Sequence, residues 1–180
     1  MKMRYDMELI KCGSAQYEAV TGLYHRVTAY LQAHINYPRW DSAHPSDKGV
    51  ADAIEQGAQY ACVYNGEIRG TVALSEDPEG DYDHAEWSAD LRKGEYLVIH
   101  ALAVHPGCSG KGIGGFMVEQ CISIAKKKGY KALRLDVVPG NIPAERLYMS
   151  RGFAYTGTVD LHRDAVGIPL FDLYELLLAD

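Results

Sequence analysis

The sequence lacks any apolar run near the roughly 20 residues that a transmembrane helix requires. Its opening, MKMRYDMELI, lacks the apolar stretch and small-residue cleavage site of a secretory signal. A cytoplasmic location with no membrane partner is the expectation. Basic residues are in the minority, 18 Lys and Arg against 24 Asp and Glu, for a net charge of -6. Non-specific nucleic-acid binders carry the opposite balance, so no nucleic-acid partner is expected. None of the four cysteines, Cys12, Cys62, Cys108 and Cys121, forms a CxxC pair, and no histidines are spaced as HExxH. That suggests neither a disulfide framework nor a metal site. Internal repeats, low-complexity tracts and linkers are also missing, so residues 1–180 read as a single domain.

What is present suits a globular core: 47% hydrophobic and 23% charged residues. Tyr17, Val20, Leu23, Tyr24, Val27, Tyr30 and Leu31 recur at three- and four-residue spacings and predict a helix from Ser14 to about His34. A second, weaker helix is expected from Ser46 to Gln56, closed by Gly57. Tyr60–Tyr64 and Ile68–Leu74 read as strands joined by Asn65-Gly66, a strong hairpin signal. The polar stretch 75–93 reads as a long excursion with a mobile tip.

Tyr96–Val104 is almost wholly apolar, as a strand covered on both faces must be. A glycine-rich run follows it, then a helix ending in Lys126-Lys-Lys128 and Gly129. Leu133–Val138 is a further buried strand, Asn141–Ser150 a short helix, and Phe153–Leu161 and Pro169–Leu178 an antiparallel pair. The expected fold is α/β: a mixed, mostly antiparallel sheet of six to seven strands flanked by helices.

Gly110, Gly112 and Gly114 lie between a buried strand and a helix start. Glycine lets backbone amides approach a ligand closely, and the first turn of a helix offers unpaired N–H groups, so this is a diphosphate-type anion site. A Walker A loop is excluded, because Lys111 is followed by Gly112 and the leading glycine would fall on His105. The dinucleotide fingerprint fails as well. Gly110, Gly112 and Gly115 fit its glycines, but the acid near the required distance, Asp136, lies inside the next strand.

Residues 96–153 resemble the acyl-CoA-binding core of the GCN5-related N-acetyltransferase (GNAT) family. The resemblance rests on Leu97-Val-Ile-His-Ala-Leu-Ala-Val-His-Pro106, Ser109-Gly-Lys-Gly-Ile-Gly114, Asn141-Ile-Pro-Ala-Glu-Arg-Leu-Tyr148 and Gly152-Phe153. It implies an acyl-CoA N-acyltransferase fold, acetyl-CoA as co-substrate with no metal, and acetyl transfer to a primary amine of a small molecule or peptide. It implies cofactor contacts from Leu102, Ala103 and Val104 along the strand, from Ser109, Gly110, Lys111, Gly112, Ile113, Gly114 and Gly115 in the loop, and from Asn141, Ala144 and Tyr148. The family loop usually opens with Arg or Gln where Ser109 stands, which removes one side-chain contact, and Lys111 is the compensating charge. The resemblance also allows a homodimer.

The chemistry asks for three devices. The thioester oxygen needs a donor aimed where charge develops, and the resemblance places it at the Ala103 or Val104 amide. The leaving thiolate needs a proton, for which Tyr148 stands where the family keeps its tyrosine acid; packing under the next strand is its other reading. An alkylammonium, with a pKa of about 10.4, needs a base. His100 ranks first, since even spacing puts it on the sheet face of Val104; Glu95 ranks second, and Asp136 is also open. Asn141 is read both as a CoA contact and as a helix N-cap. Tyr37, Trp40, Tyr82, Trp87, Tyr155 and His162 are candidates for the acceptor pocket, with Glu86, Asp90 and Asp164 behind them. A module that binds or senses acyl-CoA without turnover is the alternative.

Overall fold

A computed structural model of the chain describes residues 6–163 and 166–179. Asp164 lies outside the described residues. The elements run β1 (Met7–Lys11), α1 (Tyr17–Ala33), α2 (Asp47–Glu55), β2 (Gln59–Tyr64), β3 (Glu67–Ser75), β4 (Tyr96–Val104), α3 (Ile113–Lys127), β5 (Ala132–Val137), α4 (Ile142–Met149), β6 (Ala154–Val159) and β7 (Phe171–Leu177). The strands form one seven-stranded mixed sheet in the order β1-β2-β3-β4-β5-β7-β6. β4 and β5 pair in parallel; β1–β2, β2–β3, β5–β7 and β6–β7 pair antiparallel. The mixed, mostly antiparallel sheet flanked by helices that the sequence leads one to expect is therefore present. β1 is the strand that sequence reasoning missed. It is short and half-exposed, and it is held by its register on β2, Met7 opposite Tyr64 through Lys11 opposite Tyr60.

The chain gathers into two compact units. One comprises residues up to Asn36, Trp40–Leu74 and Ala101–Gln120. Its core packs Val20, Leu23, Tyr24 and Val27 of α1 with Val50 of α2, Cys12, Ala61 and Ala103. Tyr30 departs from the expected helix face: it is exposed and stacks on His34, with ring centroids 4.0 Å apart. Ser46 caps α2, its hydroxyl accepting from the Gly49 amide at 3.0 Å. The β2–β3 hairpin turns through Asn65 and Gly66, both at positive φ (51° and 83°), which is the two-residue turn that Asn-Gly favours. Gly70 on β3 is needed for space: a Cβ there would stand 2.8 Å from Met117 Cε and 2.9 Å from Ile113 Cγ2. A side chain at position 70 would force Ile113 and Met117 to repack.

The second unit comprises Tyr37–Arg39, Ser75–His100 and the chain from Cys121 onward. Tyr82, Tyr96, Val98, Ala132, Leu161, Phe171 and Leu173 build its core. The polar excursion after β3 is tied down, in contrast to the mobile tip expected from its composition. Tyr82 is buried, and Trp87 packs on it at 5.0 Å while its indole N–H donates to the Tyr82 carbonyl at 2.9 Å. Deeper still lies an ion pair. Arg134 Nε donates to Glu175 Oε2 at 2.8 Å, with both side chains at 2% exposure or less. The guanidinium sits between the Trp87 and Tyr96 rings, 4.3 Å from each centroid, and donates to the Ala89 carbonyl at 2.7 Å. The Ser88 amide and hydroxyl donate to the other Glu175 oxygen. Ring faces and backbone carbonyls thus replace water around two buried charges.

Three cysteines are buried and Cys108 is half-buried, all as free thiols. Burial pushes Cys12 and Cys62 up to about 11 and Cys121 up to about 12, so these sulfurs stay protonated and inert.

Removing one member of the buried pair strands the other. Arg134→Met is expected to cost about 3–5 kcal/mol, and Arg134→Met with Glu175→Leu to recover most of that loss. Urea denaturation of the two variants beside the wild type measures both quantities.

Candidate active site

β4 is nine residues long, yet its ladder with β5 covers Tyr96, Leu97 and Val98 alone. Three residues later Ala101 takes a φ of +48°, the left-handed region that L side chains avoid. This reversal breaks the period-two alternation of the strand. The even spacing of His100 and Val104 therefore does not carry face identity across it. A buried polar chain holds the distortion. The Tyr24 hydroxyl donates to the Ala101 carbonyl at 2.7 Å. The Gln59 amide donates to the Tyr24 oxygen at 3.3 Å and to Thr71 Oγ1 at 2.7 Å. Thr71 in turn donates to the Tyr60 carbonyl at 2.8 Å. Sequence reasoning took Tyr24 only as one more apolar helix position; its hydroxyl is the missed part, and nothing local marks Ala101. Past the reversal, Ala103 is buried, while Leu102 and Val104 are half-buried.

The strand then runs into the glycine loop. His105 Nδ1 accepts from the Gly107 amide at 3.0 Å, so that nitrogen carries no proton and Nε2 does. The Cys108 amide donates to the His105 carbonyl at 2.8 Å, and the Lys111 amide donates to the Cys108 carbonyl at 3.3 Å. Gly110 and Gly112 have φ of +75° and +81°, with open space where a Cβ would stand. α3 starts at Ile113, and the Phe116 amide closes its first turn on the Gly112 carbonyl at 3.0 Å. Helix geometry leaves the amides of Ile113, Gly114 and Gly115 without intrahelical acceptors. Ile113 is buried against Gly70 and anchors the helix start, while Ser109, Gly110, Lys111 and Gly112 are exposed above it. An open left-handed loop over a fixed set of amide donors suits a diphosphate.

In the second unit, Asn141 Oδ1 accepts from the Ala144 amide at 3.3 Å, the N-cap of α4. Tyr148 is buried and meets Phe153 edge-on at 5.6 Å. His100 Nε2 lies 2.7 Å from the Asp77 carbonyl. A carbonyl only accepts, so Nε2 bears the hydrogen and the neutral ring keeps its lone pair on Nδ1. Glu95 has other work: it pairs with the Lys131 ammonium and accepts from the Arg92 amide, and these hold its carboxyl below the usual range. Asp136 receives both Arg163 Nη1 (2.6 Å) and Nη2 (2.9 Å), together with the Tyr82 hydroxyl at 2.7 Å.

The aromatic candidates separate. Tyr82 and Trp87 are core residues of the second unit, and Trp40 joins the core of the first, edge-on to Tyr24 at 5.9 Å. Tyr37 is half-buried and Tyr155 is exposed; Tyr155 meets Tyr174 edge-on and its hydroxyl bonds Thr158. His162 has a φ of +53° and faces Asp81 at 3.3 Å. Glu86 and Asp90 are exposed. Among the described residues there is no cluster of three His, Cys, Asp or Glu side chains fit to hold a metal ion. Among the same residues no helix is long and apolar enough to cross a membrane.

The profile of the acetyltransferase (GNAT) family matches residues 23–153. The chain belongs to the GNAT family. An uncharacterised N-acetyltransferase of Methanocaldococcus jannaschii is 31% identical over 94 residues, which cover 52% of this GNAT chain and 38% of that relative. The fold recurs in a GNAT-family acetyltransferase of Streptococcus agalactiae, with a TM-score of 0.78, 16% identity and coverage of 97% and 96% of the two chains. It recurs again in yncA of Salmonella typhimurium, described as a putative acetyltransferase with its cofactor acetyl-CoA, with a TM-score of 0.68, 18% identity and coverage of 97% and 95%.

The polar chain behind Ala101 is the part of this GNAT scaffold most open to test. Tyr24→Phe leaves the Ala101 carbonyl and the Gln59 amide short of a partner and is expected to cost about 1 kcal/mol. Tyr30→Phe, on the exposed face, is expected to stay within about 0.5 kcal/mol of the wild type. Guanidinium denaturation of the two variants provides the comparison.

Proposed function

We propose that this GNAT chain, acting as one domain, transfers the acetyl group of acetyl-CoA to a primary amine of a small molecule or peptide by direct attack on the thioester. The observation that carries the reading is the loop at Gly110 and Gly112: two left-handed, sterically open glycines immediately before the first turn of α3. Bound acetyl-CoA supplies an activated acyl group on a good leaving thiolate. The amides of Ile113, Gly114 and Gly115 hold its diphosphate, with Ser109, Gly110, Lys111 and Gly112 around it. Leu102, Ala103 and Val104 offer backbone groups to the pantetheine arm. The Ala103 or Val104 amide donates to the thioester oxygen as that atom gains charge, and a donor held in place before reaction needs no reorganisation.

Tyr148 gives a proton to the departing sulfur. His100 takes a proton from the acceptor ammonium at Nδ1, freeing the neutral amine to attack, and the Nε2–H bond to the Asp77 carbonyl supports this choice. Glu95 ranks behind it, because a carboxylate already paired with Lys131 is a weaker base. Asn141 caps α4 and, with Ala144, stands on the cofactor side of the assignment.

Two measurements decide the reading. Coenzyme A should raise the melting temperature, by an amount that keeps growing with the logarithm of its concentration above Kd, with no matching shift from NAD or ATP. Tyr148→Phe should lower kcat roughly ten- to a thousandfold while coenzyme A binding, followed by calorimetry, holds. Thiol release against a panel of amines that stays at background for the wild type, with coenzyme A bound, would instead favour a sensing module. Ser109 in place of the family's Arg or Gln is the residue that points that way.

A further inference from the structure

The turn after β3 holds an arrangement that the transfer chemistry above does not use. Arg163, in the connection between β6 and β7, reaches across to this turn. Its Nε donates to the Glu79 carbonyl at 2.6 Å and its Nη2 to the Pro78 carbonyl at 2.6 Å. Its own position is set from β5 by the bidentate pair with Asp136, whose Oδ2 also accepts from the Tyr82 hydroxyl. The Arg163 and Asp136 side chains are 15% and 11% exposed, so water competes little for this fork. Phe171 lies under the guanidinium, 4.9 Å from it.

The turn shows what the clamp is for. Glu79 has a φ of +54°, a conformation a glutamate keeps only when its surroundings enforce it. At Gly80 a Cβ would stand 2.8 Å from Arg163 Nε, so the guanidinium occupies space that any side chain there would fill. One and two residues before the two clamped carbonyls' ends of this turn lies Asp77, whose side chain accepts from the Glu79 amide at 2.9 Å. Its carbonyl accepts from the Ser75 hydroxyl at 3.1 Å and from His100 Nε2 at 2.7 Å. An unbroken run of contacts therefore leads from Asp136 through Arg163 to the turn, and from the turn to the imidazole.

We propose that Arg163 is a positioning residue for His100. It fixes the 77–79 turn so that the Asp77 carbonyl holds the ring oriented, in the tautomer protonated at Nε2, with the lone pair on Nδ1. This rests on the assignment of His100 as the base, because the tautomer matters to turnover only if Nδ1 takes the proton. Arginine is required for geometry as well as charge: one planar group serves Asp136 with two N–H donors and the turn with others, which an ammonium cannot reproduce.

The test reads the ring directly. Long-range ¹H–¹⁵N spectra of the ¹⁵N-labelled full chain, assigned by the loss of signals in His100→Ala, report which ring nitrogen of His100 carries the proton. The wild type should show the Nε2–H form. Arg163→Lys and Arg163→Ala should both shift it toward a mixture of tautomers and lower kcat by about ten- to a hundredfold, with little change in KM for acetyl-CoA. Arg163→Lys keeps the charge and guards against an Arg163→Ala chain that fails to fold. Wild-type His100 ¹⁵N shifts in Arg163→Lys would overturn the proposal whatever the activity does. Undiminished kcat in His100→Ala would overturn the base assignment and the link to turnover with it, an outcome distinct from the first because the tautomer is read without substrate.

Discussion

The central strand of this sheet is not allowed to be a regular strand, and much of the candidate site follows from that constraint. A residue at φ +48° in β4 is strained by about 1–3 kcal/mol and persists only where its surroundings over-determine it. Here the surroundings are a helix hydroxyl, Tyr24, and the buried amide and hydroxyl of Gln59 and Thr71 behind it. The ladder to β5 is confined to Tyr96–Val98, so the later residues of β4, beyond the left-handed Ala101, take no part in it. A main-chain donor serves a developing charge best where its peptide group is held rigidly before reaction. A side-chain network that fixes one carbonyl achieves this more firmly than a loop would.

Charge is used in the same way in the second unit. Two long segments without regular structure, the excursion after β3 and the connection between β6 and β7, dock apolar side chains such as Tyr82 and Leu161 in the core, yet those contacts leave their backbone directions open. Arg134 solves this for the first: it is buried between two aromatic rings, neutralised by Glu175, and reaches the Ala89 carbonyl. Arg163 joins both segments to Asp136. A hydrophobic contact would bury these segments without fixing their backbone atoms. Guanidinium groups bond particular carbonyls, so they set where each peptide group points, at the cost of desolvating paired charges.

Most of the architecture was legible from local signals. The three- and four-residue apolar spacing of α1, the Ser46 cap of α2, the Asn65-Gly66 turn and the apolar run of β4 each reflect forces acting within a few residues. Such forces read the same in a peptide as in a fold. The glycine loop was legible for a related reason, since backbone conformations open to glycine alone leave a mark in composition. β1 was missed because a short, half-exposed edge strand owes its existence to a partner some fifty residues on, an interaction between distant segments that no local pattern records. The anchors of the excursion 75–93 are not legible in its polar composition, because β5 and β7 supply them.

By itself, then, the sequence determined the order and kind of nearly every element, the family, and the loop that suits a diphosphate, because these depend on periodicity and on residue types with narrow backbone preferences. The tertiary structure alone decided that Ala101 reverses, that Asp136 and Glu95 are already engaged by Arg163 and Lys131, and which nitrogen of His100 keeps its lone pair. Those outcomes are set by partners 20 to 80 residues away. A carboxylate or imidazole takes its chemical role from the groups around it, and only folding brings those groups together.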